Sequence, residues 1–272
     1  MKNTFKTLRF SIVAIVAAAS IALVGCGDSN SNKDVLKVGM SADYPPFEFY
    51  QNAEIVGLDV DLINKIAERM GKKVRIQSLS FDNLIGALEN KRIDLAISSI
   101  TATEDRERRL DFSMPYYHNS FSIVYRNGQP IKTESDLQGK KIGAQTGSIM
   151  DKFLKKMNHV RIFSLNNNAI MIEELKLGRL DGVLVETAQA IEFVRSNLSL
   201  RYQKLADLEN NGYSIAFPKG SKLRDEVNDV LKKMEKNGEL DAIRNKWIIA
   251  DTQSEESSSK DKIEDKVDLA KS

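Results

Sequence analysis

The sequence predicts an α/β protein of two similar lobes joined by two strand crossings. Three observations point there. Short apolar runs of strand length alternate with stretches of helical periodicity. A ten-residue stretch recurs 87 positions later, within the same order of elements. Two further apolar runs, one after each candidate lobe, read as strands that cross from one lobe to the other.

The first lobe opens with the strand Leu36 to Met40. Leu62, Ile63, Ile66, Ala67 and Met70 then recur at helical spacing, and Gly71 ends that helix. Val74 to Gln77 reads as a strand, Asn83 to Glu89 as a helix, and Ile93 to Ile97 as a buried strand of the parallel type. Ser120 to Tyr125 is a strand that leaves this unit.

The order then restarts. Lys141 to Ala144 is a strand, Ile149 to Met157 a helix, Val160 to Phe163 a strand, Asn168 to Leu177 a helix and Gly182 to Val185 a strand, followed by a helix from Thr187 to Arg195. Leu88, Arg92 and Asp94 match Leu175, Arg179 and Asp181 at one constant offset, and Lys37-Val-Gly-Met matches Lys141-Ile-Gly-Ala. Ser214 to Phe217 is the return crossing, and helices from Ser221 to Lys236 and from Glu239 to Trp247 should pack on the first lobe. The expected division is residues 35–124 and 214–250 for lobe 1 and 125–213 for lobe 2. Two crossings form a two-stranded hinge, and hinged lobes close on ligands.

The two ends are of different character. Lys2, Lys6 and Arg9 precede an almost wholly apolar run from Phe10 to Val24, which has signal-peptide length. Leu23-Val-Gly-Cys26 resembles a bacterial lipobox, which implies cleavage after residue 25 and acylation of Cys26, the sole cysteine. Residues 26–34 then form a flexible tether. Residues 251–272 are rich in Ser, Lys, Asp and Glu and are expected to be a disordered charged tail. Of 40 basic and 38 acidic residues, three basic ones lie in the leader, so the remainder is near neutrality and offers nucleic acid no basic field. The two histidines, His118 and His159, stand far apart without cysteine partners, so no metal site is expected. No glycine-rich phosphate loop is present, and no cofactor is implied.

Ligands of open α/β sheets bind beyond the carboxyl ends of the strands. That rule brings together Ser41-Ala-Asp43-Tyr44, Ser98-Ser99-Ile-Thr101, Gln145-Thr146-Gly-Ser148 and Glu186. Arg106 follows Thr103, a candidate helix cap. A guanidinium fork with helix N-terminal amides suits a carboxylate, and Glu186 across the cleft suits an ammonium. Plainer readings stand beside these. Arg106 lies in a charged run that also reads as a solvated helix face, Glu186 also reads as a cap of the next helix, and Tyr44, Phe47, Phe49 and Phe81 also read as core.

At these residues a family resemblance becomes specific. Ser41-Ala-Asp-Tyr-Pro-Pro-Phe-Glu-Phe49, Gly57-Leu-Asp-Val-Asp-Leu62 and Asp94-Leu-Ala-Ile-Ser-Ser-Ile-Thr-Ala-Thr-Glu-Asp-Arg106 resemble family 3 of the extracellular solute-binding proteins, the polar amino-acid receptors of ABC importers. Asp111 to Tyr117 and Gln138 to Gly143 fit too, so the resemblance spans roughly 36 to 247. It implies a type II periplasmic-binding-protein-like fold with two hinge strands. It also implies a non-enzymatic, monomeric protein outside the cytoplasm, held in the envelope by its lipid and serving permease and ATPase subunits. The ligand's side chain would lie between Tyr44 and Phe81. Ser98, Ser99 and Thr101 would meet its main-chain groups and Arg106 its carboxylate. Thr146 and Ser148 would contact it from the second lobe, and Glu186, where many members have aspartate, would hold its ammonium. Gln145, Ser41 and Asp43 are candidate side-chain selectors. Aromatics beside a carboxylate suit a planar cation, which favours arginine or another basic amino acid over glutamine or another polar one. The rival functions are a same-fold dehydratase of arogenate-like acids and a surface-interaction lipoprotein.

Overall fold

The computed structural model describes residues 34–205 and 211–248. The leader, Cys26 with most of its tether, and the charged tail lie outside the described residues. In chain order the first elements are β1 (Val35–Met40), β2 (Asp43–Tyr44), β3 (Glu48–Gln51), β4 (Glu54–Val56), α1 (Leu58–Arg69), β5 (Lys73–Ser78), α2 (Phe81–Glu89), β6 (Leu95–Ala96), α3 (Glu104–Glu107) and β7 (Leu110–Phe112). Then come β8 (Phe121–Arg126), β9 (Lys141–Gln145), α4 (Ile149–Lys156), β10 (Arg161–Leu165), α5 (Asn168–Lys176), β11 (Gly182–Glu186), α6 (Thr187–Arg195) and β12 (Leu200–Lys204). β13 (Ala216–Pro218), α7 (Leu223–Lys236) and α8 (Glu239–Trp247) close the described chain.

Two five-stranded sheets share one plan. Their orders are β5-β1-β6-β13-β7 and β10-β9-β11-β8-β12. β1 and β6 run parallel, as do β9 and β11, and the fourth strand of each sheet is antiparallel to the third. That fourth strand is the crossing strand in both cases. The expected boundary at 124/125 needs correction, because it falls inside β8. All six β8 residues belong to the second sheet, five of them registered on β11, and a strand half in each lobe would leave its ladder groups unpaired. The β2-β3-β4 ladder and the edge strands β7 and β12 are additions to the sequence reading. They are short, and Pro45-Pro46 interrupts the first of them.

Each sheet carries helices on both faces. Along the first sheet, Leu95 and Ile97 join the core formed with α1, α7 and α8, while Ala96 joins the core formed with α2. Leu184 and Val183 divide in the same way between the α4 core and the α5–α6 core. This is the period-two alternation of a strand buried on both sides. Among the described residues no helix is long and apolar enough to cross a membrane.

The repeat seen in the sequence has a physical basis. Asp94 accepts from the Lys37 backbone N–H at 2.8 Å, and Asp181 accepts from the Lys141 N–H at 2.8 Å. Each aspartate returns its own N–H to the same lysine's carbonyl, again at 2.8 Å. The aspartate thus clamps the start of the first strand to the start of the third. Gly39 and Gly143 are matched for a similar reason. A Cβ on Gly39 would lie 2.5 Å from Ile93 Cδ1 and 3.0 Å from Leu84 Cδ2, and one on Gly143 would lie 3.0 Å from both Leu180 Cδ1 and Met171 Sδ. Helix and turn therefore pack directly on the strand backbone in both lobes.

Gly39→Ala should destabilise by about 1–3 kcal/mol through overpacking. Gly143→Ala should cost less, since a thioether yields more readily than the branched Ile93. Urea unfolding should show the larger midpoint drop for Gly39→Ala, with unchanged slopes.

Candidate functional site

A small cavity lies between the two sheets. It is lined from the first lobe by Tyr44, Phe81, Ser98, Ser99, Thr101, Arg106 and Tyr213, and from the second by Gln145, Ser148, Ile149 and Met150. Eight of the expected site residues are therefore brought together. Thr146, Glu186, Ser41 and Asp43 are not part of the lining.

Arg106 is the dominant feature. It is 5% exposed and sits on α3, whose cap Thr103 accepts the Arg106 N–H at 3.4 Å. The guanidinium donates to Thr101 O at 2.8 Å in its own lobe and to Gly147 O at 3.1 Å in the other. It lies 5.5 Å from the centre of the Phe81 ring. Burial lowers its pKa to about 10, partly offset by Asp105. Among the described residues its guanidinium bonds to carbonyls and makes no salt bridge. The reading of Arg106 as a solvated helix face is thus excluded by its burial, although its run neighbours Glu104, Arg108 and Arg109 are exposed. The helix contribution is smaller than expected, because α3 is a single turn of four residues.

Gly147 and Ser148 owe their place to α4. The Ser148 hydroxyl caps that helix by accepting from Asp151 N–H at 3.1 Å, and Asp151 accepts from Gly147 N–H at 3.0 Å. Gly147 adopts φ +78, which glycine takes without penalty. Thr146 is tied by its backbone to Leu165 O at 2.9 Å and stands beside the cavity rather than in it.

The Ser98-Ser99 turn forms part of the cavity wall. Ser99 has φ +50, a left-handed conformation that costs an L-residue about 1–2 kcal/mol unless it is held. Ser41 N–H donates to Ser98 Oγ at 2.9 Å, so Ser41 braces this turn from behind. Asp43 accepts from Ser41 Oγ at 3.0 Å and from Gln145 Nε2 at 3.3 Å, the latter across the cleft. Burial raises Asp43 to about 6, against these hydrogen bonds.

Glu186 lies behind the cavity wall rather than in its lining. It is fully buried at the end of β11 and caps α6, with Oε2 accepting from Ala188 N–H at 2.5 Å and Gln189 N–H at 3.2 Å. Oε1 has a weaker partner, the Tyr117 hydroxyl at 3.4 Å. The plainer capping reading therefore holds for one oxygen. Tyr44 approaches the Glu186 main chain and the Tyr213 hydroxyl, so the carboxyl lies near the cavity wall without forming it. Desolvation lifts Glu186 to about 7, despite the backbone hydrogen bonds that favour its ionised form.

Tyr213 was not anticipated. It stacks on Tyr117 at 5.7 Å and meets Phe47 edge-on at 5.4 Å. The signal was strand direction. β13 runs antiparallel to β6, so the chain just before β13 must lie at the carboxyl end of β6, where the ligand face is. The same logic places Tyr117, just before β8, beside the end of β11.

Residues 36–250 match the model of bacterial extracellular solute-binding proteins, family 3. The chain belongs to that family. Among family-3 relatives, the arginine-binding extracellular protein ArtP of Bacillus subtilis is 36% identical over 249 residues, covering 88% of this chain and 98% of the relative. An ancestral arginine-binding protein solved with arginine is 36% identical with a TM-score of 0.75, covering 79% of this chain and 98% of that one. The ancestral protein solved with glutamine gives the same identity and TM-score, with 79% and 97% covered. The two-lobed type II family-3 fold expected from sequence is thereby established.

Asp43, Glu186 and the Glu48–Asp59 pair all have folded pKa values raised by burial. The protons of Asp43, Asp59 and Glu186 are fully held below the unfolded values near 4 and are lost as pH rises through about 6 to 7, whereas Glu48, raised well above its ordinary value, keeps its proton longer. The melting temperature should therefore rise when pH falls from 8 to 5.5. It should drop again below about 4, where Asp151 and other carboxyls with lowered values protonate. A melting temperature that is flat or falls from pH 8 to 5.5 would contradict this.

Proposed function

We propose that this protein captures a free amino acid in the interlobe cavity and delivers it to an ABC importer, with arginine or another basic amino acid as the favoured ligand. The observation that carries the reading is Arg106, a buried cation on the cavity wall with only carbonyl partners. Such a group is costly unless an anion completes it, and a ligand α-carboxylate does so with paired, charge-assisted hydrogen bonds. The Ser98-Ser99-Ile100-Thr101 wall and Ser148 supply main-chain contacts. Tyr44 and Phe81 flank the ligand's side chain. Glu186 Oε1, which the Tyr117 hydroxyl approaches only at 3.4 Å, is the acceptor for the ammonium group.

The preference for a basic side chain rests on charge. Half-buried Asp43 and fully buried Glu186 lie near the cavity, and among the described residues neither forms a salt bridge. Gln145 reaches Asp43 across the cleft, so the two together suit a guanidinium, with glutamine or another polar amino acid as the second choice. The arginine bound by similar proteins supports this order. Glu186 grips a charge and performs no acid–base chemistry in this reading, and turnover of arogenate-like acids would count against it. Cys26 serves as the acylated anchor on the outer side of a membrane. Replacing it with serine should move the protein into the soluble fraction, and continued membrane retention would refute the anchor.

A thermal-shift screen of the common amino acids should show a concentration-dependent rise for arginine. Arg106→Ala should abolish that response while leaving the ligand-free melting curve cooperative. The loss should exceed the roughly 1.5–3 kcal/mol of one charged hydrogen bond. Near-wild-type affinity in calorimetry would refute the assignment.

A further inference from the structure

Behind the Ser98-Ser99 turn lies a second pair of carboxyls that the ligand reading leaves unused. Glu48 on β3 is 1% exposed and Asp59 on α1 is 0% exposed. Ser98 Oγ donates to Glu48 Oε1 at 2.7 Å, and Ser99 Oγ donates to Glu48 Oε2 at 3.3 Å. Ser99 N–H donates to Asp59 Oδ2 at 2.9 Å, and the Tyr116 hydroxyl donates to the same oxygen at 3.0 Å. Asp59 Oδ1 is fully buried and has no donor among these groups. Two adjacent buried carboxylates would repel each other strongly, and no cation offsets them, since neither forms a salt bridge among the described residues.

One proton resolves both problems. A hydrogen on Glu48 directed at Asp59 fills the empty Oδ1 and leaves the pair with a single negative charge. That charge sits on Asp59, which the Ser99 amide and the Tyr116 hydroxyl already stabilise. We propose that Glu48 and Asp59 hold one proton between them, and that this shared proton is the positioning device that locks Ser98-Ser99 into its left-handed, cavity-lining conformation.

The groups facing the pair fit this. Asp43 on β2 and Tyr116 before β8 are the other titratable neighbours, and Tyr44 also feels Glu48. Burial raises both carboxyls, and because Asp59 Oδ2 already accepts from the Ser99 amide and the Tyr116 hydroxyl, Glu48 is the proton's resting place. Ser98 links the pair to the end of β1, because its hydroxyl donates to Glu48 while accepting from Ser41 N–H. The ends of β1 and β6, a turn of α1 and the first crossing segment are therefore joined through one hydrogen. Its effect on affinity rests on the amino-acid reading above, whereas the proton itself does not.

The test begins without ligand. At pH 8, above the range in which Asp43 and Glu186 titrate, infrared spectra of the full chain should contain a protonated-carboxyl C=O band. Glu48→Gln should remove that band. A wild-type spectrum lacking it, or a band retained in the variant, would overturn the proposal. Binding gives the second arm, read by calorimetry with L-arginine. Glu48→Gln replaces the proton with a permanent amide hydrogen and should keep Kd within threefold. Glu48→Ala removes the hydrogen and should weaken binding at least tenfold. If Glu48→Gln loses as much affinity as Glu48→Ala, the pair does not act through its proton. If the wild type binds no amino acid, the ligand reading falls, and the infrared arm still decides the proposal.

Discussion

A guanidinium withdrawn from water has to be surrounded by acceptors, and Arg106 finds them on both sides of the cleft. Thr101 supplies a carbonyl from the lobe that carries Arg106, and Gly147 supplies one from the opposite lobe. Much of the local architecture follows from that demand. Gly147 needs a left-handed backbone, Asp151 holds its amide, and Ser148 begins the helix that carries Asp151. Carbonyl dipoles solvate the cation without neutralising it. A carboxylate from the protein in that position would have satisfied Arg106 permanently and left nothing for a ligand's anionic end to do.

The acidic groups are arranged on a different principle. Glu186 and Asp59 are buried and Asp43 is half-buried, and each is held by hydroxyls or amides rather than by cations. Glu186 is fixed by the first turn of α6, Asp43 by Ser41 and Gln145, and Asp59 by the Ser99 amide and Tyr116. Neutral donors orient a carboxylate while leaving its charge uncompensated. Around the cleft, among the described residues, the buried Arg106 thus stands near carboxyls whose charge no neighbouring cation compensates. This is how a rigid scaffold retains selectivity for a small zwitterion, whose two charges are close together and opposite in sign.

Much of this was legible in the sequence, and the reasons are specific. Asp94 and Asp181 repeat because each clamps two strand starts through its own amide and a side-chain oxygen, so a side chain with no acceptor at that reach would break the clamp. Arg106 was legible because the internal repeat and the family motifs outweighed the solvated look of its charged run. What escaped notice depended on direction or on competition. Tyr213 is revealed by the antiparallel sense of β13, which periodicity does not report. Glu186 was correctly placed at the end of a strand, yet sequence alone could not weigh helix capping against the cleft. The β2-β3-β4 ladder was invisible because strands of two to four residues carry too little alternation to register.

The exchange of crossing strands also has a consequence for how the chain comes together during synthesis. The second lobe is continuous, since its five strands lie between Phe121 and Lys204. The first is not: β13, Val227, Leu231 and Leu240 are needed to complete its core, and they come after the whole of the other lobe. Contacts of such long sequence separation form slowly. A growing chain can therefore finish its second half before its first, while β6 waits with an exposed edge for a partner made more than a hundred residues later. The part of the molecule that holds Arg106 is thus the last to become whole.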